Sequence, residues 1–362
     1  NMKTFKQYFK EEDDNLWHLR VTDEPFPDSV PISDDDYREI KHLLKGKGFA
    51  DEVIEQLAKQ SNVSLDTMKK SFRIILQQDE FETAVNYLRS RETDSGVTKE
   101  KLIESGNIFN AFGTVGFEKK TLKDLYELRE HSQPVMGKGE LLLVTLLKGC
   151  TKPSKGDIAI DGSTYDVKGV SARLRGQRGF AIGASATKVW SDWFNNLNQE
   201  KNLGLEVPPA GANNWHIKPG RSKKDPNVEA LGFLINTGSS LVINDIITDA
   251  EYSNIIKQGL RAVYTDLSDQ ELSFVDVFCK NLKTKGIDRT FLLREYANAL
   301  VQYYLRVEDL ADTGVFAFGK QGQVKFFNAN SGNILDMGIN VDLPSFGSSA
   351  GPQGSAAGIN VI

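Results

Sequence analysis

Apolar residues recur at three- and four-residue spacing through much of the first third of the chain and again near its end, which predicts amphipathic helices. Between these regions the pattern changes to short apolar runs bounded by turn residues, which are typical of strands. Residues 141–147 are an apolar segment interrupted only by Thr145, which predicts a buried helix packed under a sheet. Further helices are predicted at 34–44, 80–91, 99–105, 122–131, 249–264, 269–284 and 289–309, and strands at 158–160, 164–167, 179–183, 314–318 and 324–327.

These elements predict an α/β fold divided into four parts. Residues 1–33 are an acidic, proline-interrupted and irregular segment, and 34–132 form a helical domain. Residues 133–343 form an α/β core with a helical insertion at about 186–288. Residues 344–362 are rich in glycine and serine, so composition predicts a flexible tail. If that tail is ordered, we expect it to pack against another part of the chain or another subunit.

Residues 53–73 have the pattern of a helix-turn-helix. The first helix is predicted to end at Ala58, the turn to lie at 62–63, and Ser64 to cap the second helix. The unit is interpreted either as a DNA-contacting motif or as plain helical packing. Three basic residues would lie along its second helix: Lys69, Lys70 and Arg73.

Composition narrows the class of protein. No stretch approaches the ~18 consecutive apolar residues of a membrane span, and the first residues lack the apolar core of a signal peptide. Cys150 and Cys279 are too few for a disulfide framework and are expected to be free thiols in a cytoplasm, that of a bacterial host if the protein is viral. The four histidines lack the spacing of zinc ligands.

The net charge of −5 is unevenly distributed. Residues 1–36 hold ten acidic and four basic residues, whereas 168–188 hold five basic residues and no acid. A second run without acids covers 216–224. Both runs suit contacts to DNA phosphates, although each is also compatible with a solvated loop. The candidate nucleic-acid-binding residues are Arg173, Arg175, Arg178 and Lys188 in the first run, and Lys218, Arg221, Lys223 and Lys224 in the second.

Candidate chemistry concentrates in a predicted β-hairpin at 156–169. Asp161-Gly162 favours a type I′ turn, because both central residues of that turn need positive φ. With this turn, Asp157 lies directly opposite Asp166, with the Cβ atoms ~5 Å apart on one face of the sheet. Lys168 is two residues beyond Asp166 and therefore shares that face.

Two carboxylates this close repel each other unless a positive charge lies between them. Mg²⁺ prefers one or two carboxylates together with water or phosphate, and Mn²⁺ accepts similar oxygen ligands. Upstream, Glu140 stands at the start of the apolar run 141–147, where a charged residue indicates function more than packing. The alternative is an ordinary hairpin with acids at its ends and a solvated lysine.

Glu140, Asp157, Asp166 and Lys168 together resemble the pattern of the PD-(D/E)XK nuclease superfamily over roughly residues 137–185. That family carries a helix glutamate, then an Asp at a strand, then (D/E)-x-K on the next strand. Here Gly156 stands where the family has proline, and the second acid is Asp rather than the commoner Glu.

The resemblance implies an αβββαβ core and a metal-dependent nuclease. Glu140, Asp157, Asp166 and the backbone carbonyl of Val167 would hold Mg²⁺ or Mn²⁺, and Lys168 would orient the attacking water. DNA is the expected substrate.

Two other classes of protein remain open at this stage. One is a non-catalytic structural or packaging protein of a virus, on a nuclease scaffold; the small-residue tail has a bacteriophage character. The other is a DNA-binding regulator that uses the helix-turn-helix. Oligomers or other subunits could be held through the N-terminal domain or the tail.

Overall fold

The computed structural model describes residues 51–131, 135–174, 185–217, 231–343 and 357–362. Within these ranges the protein is a mixed α/β structure with twelve α-helices and a mixed sheet, so the predicted fold class is confirmed at that level. The helices are α1 (Asp51–Ser61), α2 (Leu65–Ile75), α3 (Phe81–Ser90), α4 (Lys99–Ser105), α5 (Ile108–Gly113), α6 (Lys119–Glu127), α7 (Glu140–Leu146), α8 (Ala186–Lys201), α9 (Phe233–Ile243), α10 (Asp249–Val263), α11 (Ser273–Lys285) and α12 (Arg289–Val307). The strands are β1 (Cys150–Thr151), β2 (Ile158–Ile160), β3 (Ser163–Lys168), β4 (Ala172–Leu174), β5 (Val315–Phe318), β6 (Val324–Phe327), β7 (Ile339–Asp342) and β8 (Ala357–Val361).

The larger sheet has the strand order β1-β2-β3-β5-β6. β3 and β5 are parallel, with Asp166 beside Val315 and Lys168 beside Ala317, and the other neighbouring pairs are antiparallel. A parallel pair needs a long crossover, and here α8–α12 supply it. The two faces of β3 therefore meet different surroundings.

On one face, Tyr165 and Val167 join the apolar core of α1–α7. On the other face, Val315 and Ala317 pack with Val301 of α12. Successive residues of a strand point to opposite faces, so Asp166 and Lys168 lie on the α12 side. The insertion has a separate apolar core of its own, built around α8–α11.

The helix-turn-helix pattern forms the two helices α1 and α2, joined at residues 62–63. Ser64 caps α2 by accepting a hydrogen bond from the Thr67 backbone N–H at 3.1 Å. α1 continues to Ser61, three residues beyond the predicted end. The Ser61 hydroxyl donates to the Val144 carbonyl of α7 at 3.0 Å, so the unit packs directly on the helix that carries Glu140.

The basic residues of that unit are involved in structure. Lys70 pairs with the buried Glu130 at 2.8 Å, and Lys69 is partly buried. α2 buries one face, which includes Met68 and Phe72. These contacts are those of helical packing, and the DNA-contacting interpretation of the unit stays a prediction.

Ala357–Val361, predicted to be part of a flexible tail, is instead the central strand of a second sheet with the order β4-β8-β7. Ala357 and Ile359 are buried two residues apart on one face. Strand periodicity over these residues outweighs the small-residue composition of the stretch before them.

Other differences are local. Residues 106–116, predicted as a loop, contain α5, because Asn107 caps it and Phe112 anchors it in the core. Sequence analysis missed α9, which is apolar on nearly every side and so lacks a helical period. The predicted segment 1–33, helix 34–44 and strand 179–183 lie outside the described residues. None of the helices in the described ranges has the length and apolar character needed to cross a membrane.

Candidate functional site

The predicted register of the β2–β3 hairpin is confirmed. Ile158 pairs with Tyr165, and Ile160 pairs with Ser163. Asp161 (φ 50°) and Gly162 (φ 81°) both have the positive φ that a type I′ turn requires. Extending this register by one residue brings Asp157 opposite Asp166.

Asp157 is held from two sides. Its Oδ2 accepts a hydrogen bond from the Val167 backbone N–H at 2.8 Å, and its carboxyl is hydrogen-bonded to Asp166. Burial, followed by the hydrogen bond and negative charge of Asp166 and the charge of Glu140, raises the pKa of Asp157 to about 8. At neutral pH the two aspartates therefore hold one proton between them.

Asp166 is the ionised partner of this pair. Its carboxylate lies 2.8 Å from Lys168 Nζ and accepts a hydrogen bond from the Tyr304 hydroxyl of α12. Burial alone would raise the pKa of Asp166, but the hydrogen bond from Asp157, the Lys168 ammonium and the Tyr304 hydroxyl together lower it below its ordinary value. The Lys168 ammonium also lies 5.5 Å from the centre of the Tyr304 ring. Three groups thus fix the orientation of one carboxylate.

Glu140 begins α7 and is buried, directly after Gly139 in a left-handed conformation (φ 82°). Its Oε1 accepts from the Gly137 backbone N–H at 2.8 Å, and its Oε2 lies 3.0 Å from Lys152 Nζ. The Lys152 ammonium also donates to the Asp157 carbonyl at 2.9 Å. Lys152 therefore links the helix glutamate to the backbone of Asp157, directly before β2.

The structure brings together the four residues that the sequence singles out. Asp157, Asp166 and Lys168 are joined by direct hydrogen bonds, and Glu140 lies close enough to Asp157 to raise its pKa. The Val167 backbone N–H is used to bind Asp157.

Sequence reasoning missed Lys152 and Tyr304. Tyr304 is separated from Asp166 by 138 residues, so no local signal connects them. Lys152, four residues before Gly156, lies on no periodic pattern that would have indicated its burial.

The donor chemistry of the site can be compared with the needs of a hard cation. Among the described residues, no group of three or more His, Cys, Asp and Glu side chains is arranged to hold a metal ion as it stands. Asp157 and Asp166 nevertheless offer adjacent oxygen donors, and two carboxyl groups this close favour a positive charge between them. These two residues fit Mg²⁺ or Mn²⁺, and Glu140 fits as a third donor once its bond to Lys152 opens.

The predicted basic strip is only partly described. Arg173 lies in β4 and pairs along the strand with Gly358 of β8. Lys188 is exposed at the start of α8 and pairs with Asp192 at 2.6 Å. The other candidates lie outside the described residues: Arg175, Arg178, Lys218, Arg221, Lys223 and Lys224.

Comparison of the chain with protein-family models, with curated proteins and with solved structures finds no match in any of the three.

Proposed function

We propose that the protein is a metal-dependent nuclease that hydrolyses DNA phosphodiester bonds at the β2–β3 hairpin. The observation that carries the proposal is the pair formed by the half-buried Asp157 and the buried Asp166, with Lys168 bonded to the second aspartate. A purely structural hairpin gains nothing from burying two neighbouring acids, because each disfavours the ionisation of the other. Sites that perform chemistry are where such arrangements are retained.

Each residue has a role that its contacts support. Asp166 orients the Lys168 ammonium, which is in position to hold an attacking water and to stabilise the negative charge that develops on the phosphate. Asp157, Asp166 and Glu140 would supply the oxygen donors to a cation, and Asp157 would bind it in the deprotonated form. The Val167 carbonyl is a further donor that the family resemblance implies. A bound Mg²⁺ or Mn²⁺ would polarise the phosphodiester and lower the pKa of an attacking water.

The order of elements supports an αβββαβ-type core. α7 precedes β1, β2 and β3, and α12 precedes β5, which returns parallel to β3. The carboxyl end of β3 carries Lys168, beside the end of β5. Ligand sites of open α/β sheets commonly lie outside the carboxyl ends of strands.

The test is a cleavage assay on the full chain, with plasmid and single-stranded circular DNA in Mg²⁺ or Mn²⁺ and an EDTA control. We expect metal-dependent cleavage that Asp157→Asn and Lys168→Ala each reduce by about 100-fold or more. Lys155→Ala is the matched control, because Lys155 is an exposed lysine of the same hairpin region. Absence of cleavage in both metals would remove the proposal.

One observation favours a second candidate, a non-catalytic structural or packaging protein. Lys152 neutralises Glu140, and Lys168 neutralises Asp166, so the acids of the site are already compensated internally. On this reading Mg²⁺ and Mn²⁺ would neither bind nor stabilise the protein. Thermal unfolding with and without each metal separates the two candidates, since a cation that binds only the folded state raises Tm.

A further inference from the structure

A cleft of about 340 Å³ lies beside the turn that connects β5 to β6. Its lining is polar and basic around a single aromatic ring: Asn107, Phe109, Asn110, Lys119, Lys123 and Gln321. None of these residues belongs to the site at the β2–β3 hairpin.

One wall of the cleft is held in a fixed shape. The Asn107 side-chain amide donates to the Gln321 carbonyl at 3.1 Å, and its Oδ1 accepts from the Phe109 backbone N–H at 2.8 Å. Gln321 has φ 59°, a left-handed conformation that costs a residue other than glycine free energy. A Cβ on the neighbouring Gly322 would come within 2.9 Å of the Phe109 ring, so only glycine lets that ring sit against the turn.

The lining of the cleft also carries positive charge. Lys119 and Lys123 are exposed, one turn apart on the same side of α6, and neither forms an ion pair within the part of the chain that the structure describes. Asp124 offsets Lys120 and Lys123 only in part. Like charges at this spacing repel by a few tenths of a kcal/mol, so an anion between them would be favoured.

The same helix leads from the cleft to the hairpin site. Tyr126 of α6 packs on Phe318 with ring centres 5.1 Å apart, and its hydroxyl accepts from the Val170 backbone N–H at 3.2 Å, just past Lys168. With a helical rise of about 1.5 Å per residue, Lys119 lies only about 10 Å along α6 from Tyr126. Lys138, paired with Glu127 at 2.5 Å, lies at that end of α6.

We propose that this cleft holds an unpaired nucleotide of a single-stranded DNA segment whose neighbouring phosphates run along α6 toward Lys168. The base stacks on Phe109, the amides of Asn110 and Gln321 face its edge, and Lys119 and Lys123 bind the backbone. A base can stack on a side chain only when it has left a duplex, so the cleft selects single strands. The proposal rests on the proposed function and specifies its substrate.

The experiment measures binding of a fluorescein-labelled oligothymidylate to the full chain by fluorescence anisotropy in EDTA, over a series of salt concentrations. Lys119→Gln/Lys123→Gln should weaken binding about tenfold at low salt and flatten the slope of log K against log salt by about 1.4, because single strands release ~0.7 ion per neutralised phosphate. Phe109→Leu should weaken binding about tenfold with the slope retained, and Phe109→Tyr should keep the wild-type affinity. Lys59→Gln/Lys285→Gln makes the same charge change at exposed lysines elsewhere and should change neither quantity.

The outcomes separate the possible occupants. The proposal is overturned if the Lys119/Lys123 variant keeps the wild-type affinity for oligothymidylate and the wild-type salt slope. It is also overturned if the Lys59/Lys285 control loses as much affinity as that variant. Tight binding of free dTMP overturns it in favour of a mononucleotide pocket, and preference for a duplex competitor overturns the single-strand assignment. If the wild type cleaves DNA while the Lys119/Lys123 and Phe109→Leu variants bind the oligothymidylate as the wild type does, the cleft proposal alone fails. If the variants lose binding as expected but neither Mg²⁺ nor Mn²⁺ supports cleavage by the wild type, the proposed function fails instead. Thermal unfolding of each variant confirms that it is folded.

Discussion

Replacing Asp157 with asparagine should stabilise the metal-free protein at neutral and higher pH. Asparagine copies the protonated acid: it can donate to Asp166 and still accept from the Val167 backbone N–H. The folded state of the wild type, in contrast, must take up a proton that the unfolded chain lacks at pH 7. The substitution removes that requirement.

The magnitude follows from linkage. Folding raises the pKa of this carboxyl from 3.8 to about 8, so its stabilising contribution is complete below its unfolded pKa and is lost as pH rises through its folded pKa. At 1.36 kcal/mol per pKa unit, the upper bound of the cost at pH 7 is about 4 kcal/mol. Relaxation around the pair reduces this cost, and we expect Asp157→Asn to raise the free energy of unfolding at pH 7 by about 2 kcal/mol. The difference in free energy of unfolding between Asp157→Asn and the wild type should be near zero at about pH 4 and should level off above about pH 8.

The assay is urea unfolding in EDTA at intervals between these pH values, for the wild type and Asp157→Asn. Asp312→Asn makes the same chemical change at an exposed position and should leave stability within about 0.5 kcal/mol at every pH. If Asp157→Asn is less stable than the wild type at every pH, or differs from it by the same free energy at every pH, the raised pKa of Asp157 is not the cause of the difference. Added Mg²⁺ should narrow the difference by stabilising only the wild type.

Three further predictions concern single side chains. Lys168→Ala should lose cleavage by about 100-fold while isothermal calorimetry shows metal affinity within about threefold of wild type, because an ammonium is not a metal ligand; loss of metal affinity would contradict the assigned role. Lys152→Met should destabilise the protein by about 3 kcal/mol in chemical denaturation, because Glu140 is left buried without its cation. The double variant with Glu140→Gln should recover most of that loss. A double variant whose loss of stability equals the sum of the two single losses would contradict the pairing. Ser64→Ala should cost about 1 kcal/mol in the same experiment through loss of the hydrogen bond to the Thr67 backbone N–H, and Thr at position 64 should restore it.

The part of the site that lies in one hairpin could be predicted because its geometry is local. Asp161-Gly162 sets the turn, the turn sets the register, and the two-residue period of a strand then places Lys168 beside Asp166. Glu140 could be predicted for a similar reason, since it directly precedes an apolar segment.

The rest of the site depends on contacts between distant parts of the chain. Tyr304 reaches Asp166 only because α12 packs on one face of β3, and the pattern of α12 indicates a helix without indicating what it covers. Lys152 is buried by the combined approach of α7 and the hairpin. The strand at 357–361 was not predicted because it is only five residues long and follows a stretch rich in glycine and serine, whose composition indicated a flexible tail.

The parallel pairing of β3 with β5 has a consequence for the order in which the molecule assembles. Asp166 and Val315 are neighbours in the sheet but lie roughly 150 residues apart along the chain. Closing a flexible loop of that length costs about 3 kcal/mol more than closing a short hairpin turn, unless the intervening helices fold first and bring its ends together. The insertion has its own apolar core and can shorten that search.

A ribosome would therefore release the β2–β3 hairpin long before Tyr304 and β5 emerge. Until then Asp166 lacks its phenolic partner and one neighbouring strand, and Lys168 lacks the ring beneath it. The contacts around Asp166 and Lys168 are therefore completed only after the helical insertion has folded, so this topology makes completion of the candidate site a late event in the life of each newly made chain.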